Sequence, residues 1–268
     1  MFFNRKPPRG VYTGGGRILT KTKSGLKIYV DGGDISVAPH IILDSAYEEN
    51  TEGVIRKLVR PGMTILEGGA NIGYFTLAFA SLTGAQGRVI AFEADTKNAQ
   101  FVLDNLELNG FSQRATVYAQ ALFSSDGEVT FYRAVRHRGN GSILRDLEQT
   151  PENPEAQREA LIVPSRSIDS LCAEHGISPD VIKLDAEGAE SSILAGAQSQ
   201  LTGGRPRVLI LEFTPRFISL AGDDPRRLLE DLLARGYRLN RIVRKRRMEA
   251  CRIDELLESE STELVALR

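Results

Sequence analysis

The stretch Thr64-Ile-Leu-Glu67-Gly68-Gly69-Ala70-Asn71-Ile72-Gly73-Tyr74-Phe75-Thr76-Leu77 decides how the rest of the chain is read. Ile65 and Leu66 have the apolar character of a short buried strand, and Glu67 stands where that strand ends. Gly68 and Gly69 let the backbone turn without a Cβ penalty. From Gly73 onward, Phe75, Leu77, Ala78 and Phe79 suit a helix packed on a sheet. Strand, glycine turn and helix together make a nucleotide-binding corner. The backbone there allows close approach, and the helix N-terminus offers free N–H groups. Glycine-rich turns of this kind are common in α/β proteins. The spacing of Gly68, Gly69 and Gly73 is not the G-x-G-x-x-G of dinucleotide enzymes.

A second apolar strand, Arg88-Val-Ile-Ala-Phe92, ends in Glu93. That places an acid about 20 residues beyond the turn, where a carboxylate can accept both hydroxyls of a ribose. Residues 181–184 and 208–211 read as two further apolar strands, followed by Asp185 and Glu212. Four acids, Glu67, Glu93, Asp185 and Glu212, therefore fall at carboxyl ends of strands, where open α/β sheets bind their ligands. The alternation of strand and helix predicts an α/β fold with a doubly wound, mostly parallel, Rossmann-like sheet.

The segments Glu67-Gly-Gly-Ala-Asn-Ile-Gly-Tyr-Phe-Thr-Leu77, Ala91-Phe-Glu93-Ala-Asp95, Asn98 with Asn105, and Ile182-Lys-Leu-Asp185-Ala-Glu187-Gly188-Ala-Glu190 resemble the motifs of FkbM-family S-adenosylmethionine-dependent methyltransferases. The resemblance covers roughly residues 50 to 215. Family members usually open the first motif with Asp; here it is Glu67, one methylene longer. The resemblance implies a seven-stranded class I methyltransferase sheet, S-adenosylmethionine as donor and S-adenosylhomocysteine as product. It implies cofactor contacts from Glu67, Gly69, Asn71, Gly73, Glu93, Ala94, Ala121, Leu122 and Asp185. It says nothing about which acceptor is methylated.

The chain divides into an N-terminal tail with a small β extension, residues 1–46, and a methyltransferase domain, residues 47–268. Residues 1–16 are rich in Pro, Gly and Arg and read as a loose tail. Arg17-Ile-Leu-Thr and Leu26-Lys-Ile-Tyr-Val30 follow as short strands around Ser24-Gly25. Residues 95–109 read as a helix stopped by Gly110. Glu128-Val-Thr-Phe-Tyr132 reads as an added hairpin strand after Asp126-Gly127, and residues 133–160 as a long polar lid over the acceptor. Residues 224–235 form an amphipathic helix, and 237–243 with 264–267 close the sheet.

Composition bounds the function. The 268 residues carry 34 basic and 35 acidic side chains, a net charge of −1, which supplies no field for nucleic acid. Cys172 and Cys251 form neither a disulfide framework nor a metal cluster, which fits a reducing, cytoplasmic setting. No apolar run reaches membrane-spanning length. The basic run Arg244-Lys-Arg-Arg247 reads as a solvated turn between two C-terminal strands.

Methyl transfer asks mainly for alignment of an acceptor oxygen with the S–CH₃ bond, because the sulfonium is already activated. A hydroxyl acceptor benefits from a base. Asp185 is the first candidate, since strand four borders the crevice beside strand one. His137, in the long loop, is the second, and His40 the third. His175, before Gly176, suits a helix end. Asp185, Glu212 and a loop residue offer oxygens of the kind Mg²⁺ takes, but no fixed metal spacing accompanies them, so a divalent metal is allowed by the residues and not favoured. The expected function is O-methylation of a sugar, glycan or related small natural product. The competing readings are an NAD(P)-dependent oxidoreductase, opposed by the glycine spacing, and a methyltransferase for another acceptor class. A nucleic-acid amino-methylase should carry an Asn/Asp-Pro-Pro-aromatic run after strand four, and Asp185-Ala-Glu187 is not one. A non-catalytic binding module would not need so many acids at strand ends.

Overall fold

The structure is a computed structural model that describes residues 9–134, 139, 141–145 and 158–268. It opens with three strands, β1 (Gly10–Gly14), β2 (Arg17–Lys21) and β3 (Lys27–Asp31), which form their own antiparallel sheet. The first of these corrects the reading of residues 1–16 as a tail. Val11 and Tyr12 pair with Leu19 and Ile18, and Gly14, Gly15 and Gly16 all take positive φ to turn the chain back. The glycines mark a hairpin rather than a linker. Helices α1 (Ala38–Asp44) and α2 (Glu49–Leu58) lead into the central sheet.

That sheet is entered by β4 (Thr64–Gly68), α3 (Tyr74–Thr83), β5 (Arg88–Phe92), α4 (Thr96–Leu108) and β6 (Ala115–Tyr118). A side sheet of β7 (Ala121–Leu122), β8 (Gly127–Ala134) and β9 (Arg158–Arg166) follows. The chain then returns through α5 (Ile168–His175), β10 (Val181–Leu184), α6 (Glu190–Ala195), α7 (Gln198–Thr202), β11 (Val208–Phe213), α8 (Pro215–Leu220) and α9 (Pro225–Ala234). It ends with β12 (Arg238–Val243), β13 (Arg247–Ala250), α10 (Ile253–Leu257) and β14 (Thr262–Leu267).

The central sheet has the order β13-β12-β14-β11-β10-β4-β5-β6 among the described residues. From β6 to β11 every pairing is parallel, whereas β14, β12 and β13 are antiparallel. The mostly parallel α/β sheet expected from the sequence is therefore present. Seven strands make up that sheet, and β13 adds an eighth at its edge. Arg244, Lys245 and Arg246 are the turn that makes this extra hairpin, with Lys245 and Arg246 at positive φ. Arg246 docks on α2 through Glu49 and Asn50.

The order of connection places a switch point between β4 and β10. The chain leaves β4 toward β5 on one side, and β10 leads to β11 on the other. Ligands bind at such a point. Each face of the sheet carries its own apolar core. Ile65, Leu77, Phe79 and Val102 belong to one, and Leu66, Ile182, Leu209 and Ile193 to the other. The N-terminal sheet is tied to this body by α4. The Asn105 side chain bonds both backbone groups of Tyr29 and donates to the Ile72 carbonyl at 2.8 Å, and Asn109 bonds both backbone groups of Lys27.

The segment expected as a lid is partly ordered into strands. β8 runs to Ala134 and β9 begins at Arg158, and the two pair antiparallel from Gly127 opposite Ser165 to Ala134 opposite Arg158. Residues 135–138, 140 and 146–157 lie outside the described residues.

Candidate active site

The glycine corner is built by contacts that admit no side chain. Gly69 has φ +78°, and a Cβ there would lie 1.8 Å from the Asp185 carbonyl oxygen. The two switch-point strands thus touch backbone to backbone just past their ends. Gly69 and Ala70 donate their N–H groups to the Phe92 carbonyl, both at 3.0 Å, which bends the turn toward β5. Asn71 follows with φ +51°. Its N–H donates to Glu93 Oε2 at 2.7 Å, and the Asp95 N–H donates to Glu93 Oε1 at 2.9 Å. Two fixed backbone donors hold the Glu93 carboxylate at the mouth of the crevice. Burial still dominates and pushes its pKa up to about 8.

Gly69, Asn71, Glu93, Ala94, Ala121 and Leu122 line one cavity, and Asp185 lies on its wall as well. The structure therefore brings together seven of the residues predicted from sequence. Three others stand apart. Glu67 is buried and turned into the core, where it accepts a hydrogen bond from the Thr76 hydroxyl at 2.6 Å. Burial raises its pKa to about 7, against the opposing charge of Lys183. Gly73 is the N-cap of α3, and a Cβ there would meet Val102 at 3.2 Å, so its service is packing. His40 is exposed on α1 outside the cavity, its ring 6.4 Å from that of Tyr47. Glu67, Gly73 and His40 thus do not reach the site, because the strand pleat, the helix cap and the helix face direct them elsewhere. His137 lies outside the described residues. His175 closes α5 and shares a 3.0 Å hydrogen bond with the Tyr118 hydroxyl, as befits a helix end.

Sequence reasoning missed a second group. Lys183 is 1% exposed inside β10, and its Nζ donates to Asp185 Oδ2 at 2.9 Å. The ammonium also lies 4.6 Å from the centroid of the Phe75 ring. Burial works against this cation. The charges of Asp185, Glu48, Glu263 and Glu67 outweigh it and hold the ammonium above its usual pKa. Tyr47 and Glu48, just ahead of α2, line the same cavity. Burial raises the pKa of both, and burial likewise raises that of Glu212 well above the ordinary range, reinforced by the charge of Asp185. Arg133 on β8 also lines the cavity, 3.6 Å from Asp95. A lysine inside a four-residue apolar strand was the one visible signal for this group.

Register explains the arrangement. Lys183 pairs with Glu67 on β4 and Ile210 on β11. Side chains two residues apart share a face, so Asp185 and Glu212 stand above them, and Glu212 opposes Glu263 on β14. The wall beside the glycine turn is therefore acidic, with Lys183 beneath it. Asp185, Glu187 and Glu212 hold carboxylate oxygens within 4.8 Å of one another, a set able to hold a metal ion. Described parts of the long connection cover this region. Gly139, Gly141, Ser142 and Ile143 line the cavity, and the Ser142 hydroxyl donates to the Glu187 carbonyl at 2.7 Å.

A doubly wound sheet with a glycine corner and an acid ending the next strand is the arrangement in which α/β proteins hold nucleotide-type cofactors. Residues 67–239 match the methyltransferase FkbM domain, and the chain belongs to that family. A curated relative, the 2-O-methyltransferase NoeI of Sinorhizobium fredii (strain NBRC 101917 / NGR234), is 26% identical over 213 residues, 69% of this chain and 84% of that protein. Among solved structures, methyltransferase FkbM from Methylobacillus flagellatus KT aligns with a TM-score of 0.48 and 17% identity, over 80% of this chain and 49% of that one. An O-methyltransferase from Bacillus cereus in complex with SAH aligns with a TM-score of 0.46 and 17% identity, over 86% of each chain. Among the described residues no helix is long and apolar enough to cross a membrane.

Proposed function

We propose that the protein is an S-adenosylmethionine-dependent O-methyltransferase that methylates a hydroxyl of a sugar, glycan or related small natural product. The observation that carries this reading is the shared cavity of Gly69, Asn71, Glu93 and Asp185 at the switch point of the sheet. Glu93 already accepts one backbone donor on each oxygen and has a remaining lone pair on each for a ribose diol. Ala121 and Leu122, apolar on the wall, suit the face of an adenine. Asn71 offers a side-chain amide close to the amino-acid end of the cofactor. The name of NoeI, a 2-O-methyltransferase, supports oxygen as the acceptor atom.

In this reading Asp185 faces both methyl donor and acceptor. Lys183 holds its Oδ2, leaving Oδ1 for the acceptor hydroxyl. The carboxylate then orients that hydroxyl for in-line attack and takes its proton as the O–CH₃ bond forms. Donor specificity is set against nicotinamide cofactors by the glycine spacing, and the acceptor is a small molecule or glycan rather than nucleic acid.

The test is transfer of a labelled methyl group from S-adenosylmethionine to a panel of glycans, glycolipids and free sugars, read by mass shift. Label appearing on a carbohydrate oxygen is the expected result. Label confined to nitrogen-bearing acceptors, or no transfer with any hydroxyl compound alongside tight binding of NAD, contradicts it.

A further inference from the structure

We propose that Tyr47 and Glu48, in the turn between α1 and α2, select the acceptor: the Glu48 carboxyl pairs with a second hydroxyl of a sugar whose carbon face rests on the Tyr47 ring. The inference rests on the methyl-transfer reading and names the side of the cavity that serves the acceptor. Both residues line the cavity together with Asp185 and Glu212. The groups suited to the cofactor stand at the ends of β4 and β5 and on β7, whereas Asp185 and Glu212 belong to β10 and β11 on the other side of the switch point. Burial raises the pKa of Tyr47 and of Glu48, and the charge of Asp185 raises both further, which places the turn over that second side.

The turn is firmly held. Ser45 and Glu48 take φ of +56° and +43°. The Glu48 carbonyl accepts the Glu52 N–H at 3.0 Å, and the Tyr74 hydroxyl donates to Glu52 Oε2 at 2.6 Å, which ties α2 to the helix after the glycine corner. The Tyr47 ring packs edge-on against Tyr74 with centroids 6.1 Å apart and lies 6.4 Å from Phe75. The Glu48 carboxyl bonds the side chains of Tyr47 and Thr51, and its Oε2, shielded from solvent, is left with no partner among the described residues. Such buried oxygens are rare. A hydroxyl suits a carboxyl in either protonation state, since it both donates and accepts. An aromatic ring beside that carboxyl offers a sugar an apolar platform and a polar anchor. A site that matches a buried polar atom to a substrate hydroxyl rejects the analogue lacking it, because the atom is then left unpaired. Both residues precede 67–239, so this selection is exercised by a part of the chain outside the shared domain.

The test uses the full chain saturated with S-adenosylhomocysteine. Magnetic resonance titrations follow the methyl glycosides of glucose, galactose, mannose and N-acetylglucosamine, and the monodeoxy counterparts of whichever binds. The parent chain is expected to bind at least one glycoside and to prefer it at least tenfold over one monodeoxy counterpart. Glu48→Gly removes the carboxyl and suits the backbone φ of +43°. It should erase that preference while S-adenosylhomocysteine binds within twofold of the parent. Tyr47→Leu, apolar but without the ring, should weaken the glycoside at least tenfold. Should one variant lose its fold by circular dichroism, the other decides. A preference retained in Glu48→Gly, unchanged glycoside binding in Tyr47→Leu, or no glycoside bound by a parent chain that holds S-adenosylhomocysteine overturns the proposal and leaves the cofactor reading standing. A parent chain that does not hold S-adenosylhomocysteine removes the methyl-transfer reading, and the proposal with it.

Discussion

Lys183 Nζ donates to Asp185 Oδ2 across 2.9 Å, so a nearly inaccessible ammonium holds the carboxylate that borders the glycine turn. Lys183 lies in β10, and Asp185, two positions on, stands just past its end. This pair holds one oxygen of Asp185, a residue that lines the cavity. Asp185→Asn keeps the shape and removes the carboxylate that the proposed reading uses as proton acceptor. We expect it to bind S-adenosylmethionine within about twofold of the parent and to lose about 10²-fold or more in turnover. Calorimetry and single-turnover assays check the two halves separately. Intact turnover would make Asp185 structural and return attention to His137.

Removing the other partner should act on the fold. Lys183→Met leaves Glu67 and Asp185 without their cation in a buried setting. Breaking such a pair costs about 3–5 kcal/mol. Urea unfolding at neutral pH should show a loss in that range, smaller at pH 5, where Glu67, raised to about 7, is protonated and no longer needs the ammonium. Equal losses at both values would contradict the electrostatic account.

Stability of the cofactor-free protein should depend on pH through its buried acids. Glu67 and Glu190 are raised from 4.5 to about 7, and Glu93 and Glu263 to about 8. Burial favours the protonated form in each. Their contribution is therefore complete below about pH 4.5 and is lost as pH rises through the folded values. Unfolding free energy should fall between pH 5 and 8, and Glu67→Gln should flatten that slope by about 3 kcal/mol at most. A parent profile that rises over this window would show these acids to be ionised in the fold.

Gly69 is the tightest point of the site. A methyl group there would lie 1.8 Å from the Asp185 carbonyl oxygen, at a backbone φ of +78°. Gly69→Ala must push β4 and β10 apart at their ends. We expect a loss of stability above about 3 kcal/mol, or a folded protein with no measurable cofactor binding. Normal stability with normal binding would mean that the turn does not lie as described.

Local signals read well in this sequence, and signals that depend on register did not. The strand–turn–helix around Gly69 is contiguous, so its glycines and apolar residues announce it. Glu93 and Asp185 were legible because each directly follows an apolar strand. Lys183, Glu212 and Glu263 meet only through the pairings β10·β11 and β11·β14, which no local pattern encodes. Glu67 was misplaced by one step of the pleat: its neighbour Gly68 faces Leu122 and Leu184, whereas Glu67 faces Thr76 and Lys183. β9 escaped because Pro164 breaks the strand signature. The sheet tolerates it since β7 pairs only with Ser165 and Arg166, leaving an open edge beside the proline. β1 escaped because three successive glycines resemble a linker as much as a turn.

The central claim is that the crevice between β4 and β10 binds S-adenosylmethionine, with Glu93 receiving the ribose. Calorimetric titration of the full chain with S-adenosylhomocysteine, for the parent and Glu93→Ala, tests it most directly. The account predicts one site per chain, no comparable heat with NAD, and a loss of about 1–3 kcal/mol in the variant, the cost of leaving the ribose hydroxyls unpaired. An unchanged affinity in Glu93→Ala, or binding of NAD in place of S-adenosylhomocysteine, would contradict it.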